Sequence, residues 1–148
     1  MKIAIDHDGT AMLYPEIYKK LIDTFKAAGH EVGIITGRDE DSEYYDKRRL
    51  QKYGFQFDFF WSSGMMNEEE ISLLEKIESG KLQMDRDTVC CHFKARMCEE
   101  KQVDILFDDN ADTIRLFQNG SKTLILKSPT ESNMPIPKWG KHSLVYSD

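Results

Sequence analysis

The feature that most constrains this chain is an alternation of short apolar runs with longer segments of helical pattern. The runs are KIAID (2–6), EVGIIT (31–36), FQFDFFW (55–61), VDILFDD (103–109) and TLILK (123–127). Each is short and apolar enough to read as a buried strand. Between the first two lies PEIYKKLIDTFKAAG, with Pro15 suited to a helix start, Gly29 to its stop, and Ile17, Leu21 and Phe25 spaced along one face. Residues 39–53 are charged up to Gly54, which predicts a solvated helix. Asn67 with Glu70 three residues later predicts a capping box opening EEEISLLEKIESG, with Ile71, Leu74 and Ile77 as its apolar stripe. KARMCEEK and ADTIRLFQNG predict two further helices, the second stopped by Gly120, whereas residues 81–92 show no clear pattern. The tail from Ser128 holds three of the four prolines and reads as irregular. Strands alternating with helices predict an α/β fold, a Rossmann-like three-layer sandwich around a central parallel sheet.

The chain has 148 residues, which favours one domain over residues 1–148 with a small insert at about 62–93. Apolar content of 40% and charged content of 31% are ordinary for a globular protein. A net charge of −6 argues against general attraction to nucleic acid or anionic lipid. No apolar run approaches membrane-spanning length, and MKIAIDHDGT reaches a carboxylate too early for a secretory leader, so the expected location is the cytoplasm. Cys90, Cys91 and Cys98 make a poor disulfide framework and are expected to be reduced. With His92 they invite a zinc reading, but adjacent cysteines rarely turn toward one metal and no second ligand pair follows.

In parallel α/β sheets the site lies beyond the carboxyl ends of the strands. Asp6 and Asp8 follow the first run, Thr36, Gly37 and Arg38 the second, and Asp108 and Asp109 the fourth. Three strands thus deliver polar groups to one edge. Four carboxylates there cannot all ionise without counter-charge. Mg²⁺ fits best, since it is held by few carboxylates together with water and substrate phosphate. The spacing in DHDGT suits a division of labour: Asp6 as a nucleophile forming an aspartyl-phosphate, Asp8 as the acid and base on the other side of the reacting group. Gly9 allows a sharp turn after the strand. Thr36 and the amides after it offer donors to phosphate oxygens, and Lys94 would neutralise charge building in the transition state, with Lys81 and Lys101 as competitors. Arg38 reads equally as a binder of a substrate anion or a helix cap. His7 reads as a filler, and Trp61 and Met65–Met66 as core rather than substrate wall.

On these residues the chain resembles the haloacid dehalogenase (HAD) superfamily phosphatases. DHDGT after an apolar strand matches that family's first motif, IIT with Gly37 and Arg38 its second, Lys94 its third, and ILFDDNAD its fourth, over roughly residues 1–127. The resemblance implies Asp6 as nucleophile and metal ligand, and Asp8 as acid/base that also gives its backbone carbonyl to the metal. It implies Asp109 as the first choice, and Asp108 as the second, for the remaining metal contact. Asp112 either orients them or starts a helix. The second aspartate of the first motif points to phosphoryl transfer to water.

Only residues 11–14 separate Thr10 from Pro15, so no cap domain fits there, and residues 62–93 form a modest insert. The expected site is therefore open or covered by a neighbouring subunit of a homo-oligomer, and acts on a phosphorylated substrate whose class the residues do not specify. Two rivals remain. One is a catalytically silent phosphate- or metal-binding module of the same fold. The other is a receiver-like phospho-acceptor domain, whose acceptor would follow the third strand; here FQFDFFW ends without an acid.

Overall fold

The structure, a computed structural model, describes residues 1–129. The irregular tail expected from Ser128 lies outside the described residues apart from its first two positions. Strands β1 (Lys2–Asp6), β2 (Glu31–Ile35), β3 (Phe59–Trp61), β4 (Ile105–Asp108) and β5 (Leu124–Lys127) form one five-stranded sheet in the order β3-β2-β1-β4-β5. Every neighbouring pair is parallel. The connecting helices are α1 (Pro15–Ala27), α2 (Glu43–Lys52), α3 (Glu68–Glu78), α4 (Arg86–Glu100) and α5 (Ala111–Leu116). The fold is the expected Rossmann-like three-layer α/β sandwich.

Strand alternation sorts the core into two layers. Ile3, Ile5, Val32 and Ile34 face Tyr18 and Ile22 of α1 and Leu50 of α2. Ala4, Ile35 and Leu106 face the other way, against Phe93 and Met97 of α4 and Ile114 of α5. Asp6 and Asp108 continue the second set by parity, so two carboxylates at the ends of adjacent central strands are aimed toward α4. Among the described residues no helix is long and apolar enough to cross a membrane.

Several local expectations shift. The third strand shrinks to Phe59–Trp61, because Asp58 turns its carboxylate back to accept the Val32 N–H at 2.9 Å and the Lys26 ammonium at 2.6 Å. On α1 the buried stripe is Pro15, Tyr18 and Ile22, so Ile17 stands 49% exposed. The capping box at Asn67 forms with both halves, but the residue buried on α3 is Glu70, and Ile71 is exposed. Glu70 accepts from the Asn67 N–H at 3.0 Å, lies 2.7 Å from His92 Nδ1, and accepts from Arg96 Nη2 at 2.8 Å. It thereby ties α3 to α4. The patternless stretch before Lys94 opens α4, capped by Asp85 through the Asp87 N–H. Val89, Cys91, Phe93, Lys94, Ala95, Met97 and Cys98 of α4 are all buried, which leaves no amphipathic stripe to read.

Gly33, central in β2, is paired with Phe59, whose ring crosses the space a side chain would occupy and stacks on Trp61 at 4.0 Å between ring centroids. A Cβ there would lie 2.3 Å from the Phe59 ring and 2.4 Å from its carbonyl oxygen. Gly33→Ala is expected to cost about 1–3 kcal/mol by overpacking, read as a lower urea midpoint at unchanged slope.

Candidate functional site

The carboxyl ends of β1, β2 and β4 border a cleft of about 660 Å³. Asp6, Asp8, Thr36, Gly37, Lys94 and Asp109 all line it, and Glu78, Arg86 and Asp87 from the 62–93 segment and the start of α4 form part of its rim. Sequence-level candidates from three strands and one helix therefore share one cavity.

Its floor is an ionic cluster. Lys94 Nζ donates to Asp6 Oδ1 and to Asp108 Oδ2, each at 2.7 Å. The three groups are nearly sealed from water, at 6%, 3% and 0% exposure respectively. Burial alone would discharge Lys94, but Asp108 and Asp6 beside it hold its pKa well above the usual lysine value. For Asp6, burial and then the Asp108 charge push the carboxyl well up, against the pull of Lys94. Asp109 is raised as well, by burial first and by Asp108, against a hydrogen bond with Asp6. Of the three lysines considered, Lys94 is the one in this cluster. Lys101 gives its carbonyl to Lys2 at the far end of α4, and Lys81 is exposed beyond α3.

Asp6, Asp108 and Asp109 each offer an oxygen, all within 4.8 Å of one another. Asp108 is fully buried, and its other oxygen accepts the Asn110 N–H at 2.8 Å. Asp109 is the partner that reaches the cleft. Thr10, buried just after the DHDG turn, donates its hydroxyl to Asp6 at 3.1 Å and accepts the Asp109 N–H at 3.2 Å, linking the first and fourth motifs. The turn depends on Gly9: its φ is +74°, and a Cβ there would lie 2.7 Å from Asp109 Oδ2. Asp112 is remote from the cluster, paired with Arg115 and Lys127 in the first turn of α5.

The opposite wall carries a second charged system, built on Asp8 and Arg38, which the sequence singled out, and on Asp46, which it did not. Arg38 donates through Nη1 to both oxygens of Asp8, at 3.1 and 3.2 Å, and through Nε to Asp46 at 2.9 Å. Asp46 is buried in α2 and also accepts from the Ser42 hydroxyl at 2.8 Å. His7 does more than fill its position: it is fully buried, with Nδ1 at 3.1 Å from Asp8 Oδ1 and no hydrogen-bond partner for Nε2 among the described residues. Partial burial works to raise the Asp8 carboxyl, but the His7 hydrogen bond and the charged partners outweigh it and bring it down to about 2. The only signal for Asp46 was its place in a charged stretch, which solvated residues share.

Thr36 is buried; its hydroxyl accepts the Arg38 N–H at 3.1 Å, and its own N–H is spent on Trp61. Gly37 N–H has no partner among the described residues and is an open donor on the cleft wall. Gly37 is pressed against Cys90, whose Sγ would lie 2.5 Å from a Cβ at that position. Burial raises the Cys90 thiol and pushes Cys91 and Cys98 up to about 12, so the thiolate forms are disfavoured. Trp61 and Met66 lie in the core, whereas Met65 is exposed. No protein-family model and no curated protein matches the chain.

Asp8 carries the clearest pH signature. Its folded pKa, about 2, lies below the ordinary 3.8, so its contribution to stability is present above pH 4 and is lost as pH falls through 2. A carboxyl-carbon NMR titration should give a midpoint near 2, moving upward in Arg38→Gln. The stability difference between wild type and Asp8→Asn should shrink across the same window.

Proposed function

We propose that the chain is a magnesium-dependent phosphatase of phosphomonoesters, working through an aspartyl-phosphate on Asp6 and related to the HAD phosphatases it resembles. The observation that carries this reading is the buried Lys94 ammonium bridging Asp6 and Asp108, with Asp109 completing a trio of carboxylate oxygens within 4.8 Å in a polar cleft. One cation among three carboxylates leaves negative charge over, and an all-oxygen donor set of this kind suits a hard divalent ion. Asp6, Asp109 and the Asp8 carbonyl would hold it, with Asp108 behind them on Lys94. When bound, Mg²⁺ supplies electrostatic stabilisation of the phosphoryl oxygens.

The residues divide the work. Asp6 attacks phosphorus as the ester P–O bond breaks, and Asp8 gives its proton to the departing oxygen. Asp8 then takes a proton from water, whose oxygen attacks phosphorus and releases Asp6 and inorganic phosphate. Lys94 and the Gly37 N–H offset charge on the phosphoryl oxygens. With His7 at one oxygen and Arg38 on both, Asp8 rests as a carboxylate, so it must first take a proton from solvent, as Arg38 is drawn off it, before it can deliver one. That clamp is also the observation that favours the rival reading of a silent module.

With Mg²⁺ and a generic aryl phosphate, wild type should turn over, while Asp6→Asn should lose on the order of 10³-fold or more. Equal rates would overturn the mechanism. Mg²⁺ should raise the melting midpoint of wild type and not of Asp109→Asn. Metal and phosphate binding without turnover on a broad ester panel would establish the silent module instead.

A further inference from the structure

We infer that Arg38 is a subsite for a second anionic group, carboxylate or phosphate, carried by the alcohol portion of the substrate. The inference rests on the phosphatase reading and names the substrate class of that same site. Three observations carry it. Arg38 is pre-positioned: Nε is fixed to buried Asp46, which Ser42 holds in turn, and its backbone N–H is fixed to Thr36. It retains capacity: Nη1 serves Asp8, while Nη2 donates to nothing among the described residues, although Arg38 lines the cleft. By contrast, both terminal nitrogens of Arg86, the cation on the rim, are engaged, with Asp39 at 3.4 Å and Glu78 at 3.3 Å.

The third observation is position. Arg38 lies over Asp8, the group assigned to the departing oxygen, and Lys94 lies over Asp6, the group assigned to phosphorus. An anion taken by Arg38 therefore belongs to the leaving group rather than to the transferred phosphoryl. A guanidinium anchored along one edge presents its remaining donors as a planar fork, which suits a two-oxygen anion. The same anion competes with Asp8 for Nη1.

The test pairs esters that differ in one anionic group: 2-phosphoglycolate against ethyl phosphate for a carboxylate, and propane-1,3-diol bisphosphate against propyl phosphate for a phosphate. The readout is the ratio of kcat/KM within each pair, which cancels any general loss of Asp8 function. In wild type at least one ratio should favour the anionic ester roughly ten- to hundredfold. Arg38→Gln with Asp46→Asn, which avoids leaving a buried carboxylate unpaired, should bring that ratio close to one, and Arg38→Lys should retain part of it. The same esters are titrated onto Asp6→Asn, so the preference is also read as a ratio of Kd. Wild-type ratios near one in both pairs, or a preference that survives in the Arg38→Gln/Asp46→Asn protein, would overturn the subsite. Turnover of no ester would sink the phosphatase reading, and the Kd ratios would then decide the subsite on their own.

Discussion

One ammonium group between two carboxylates at the centre of the sheet organises this molecule. Lys94 reaches from α4 to Asp6 and Asp108, the terminal residues of adjacent strands β1 and β4. Placing these charges out of water is costly and is tolerated only because each has a close opposite partner. Strand pairing puts the acids side by side, strand parity aims both at one helix, and the burial of α4 on nearly all sides fixes the lysine between them. The cluster carries two carboxylates more than it has cations once Asp109 is counted. Under the proposed function, a divalent cation would take up that surplus.

The cleft has two charged walls with different properties. Around Lys94 the groups are sealed, raised carboxyls and a stabilised ammonium. Around Arg38 only the guanidinium and Asp8 are half in water, set against buried Asp46 and His7, and Asp8 is held ionised. Two carboxyls two residues apart in sequence thus sit in opposite electrostatic environments. Under the proposed function, that contrast suits the two acids to different parts of one reaction. The turn just after Asp8, with Gly9 at positive φ against Asp109, carries the chain on to Thr10, which bonds back to Asp6.

Much of this was legible in the residues, for identifiable reasons. Strand runs such as KIAID and VDILFDD declare themselves through continuous apolarity, and their order placed Asp6, Thr36 and Asp108 on one edge before any contact was known. Lys94 stood out less, because α4 is buried nearly all round and shows no periodic stripe. The Arg38–Asp46 anchor was not legible. Asp46 lies in a charged segment where most neighbours are solvated, and only the tertiary approach of Ser42 and Arg38 makes it a buried acceptor. The same holds for Glu70, read correctly as half of a capping box, while its partners His92 and Arg96 come from the next helix. His7 read as a filler because alternation alone says nothing of a side chain that turns back onto its neighbour's carboxylate.

The strand order has a consequence for how the chain comes into being. Of the five strands β1 is made first, yet it lies at the middle of the finished sheet, and its contact with the β4 side is closed by a bond spanning 102 residues, from the Lys2 N–H to the Asp104 carboxylate. During translation β1, β2 and β3 can associate early, but one edge of β1 stays bare until residue 105 has emerged. Asp6 at the tip of that bare edge has no Lys94 until α4 has been made.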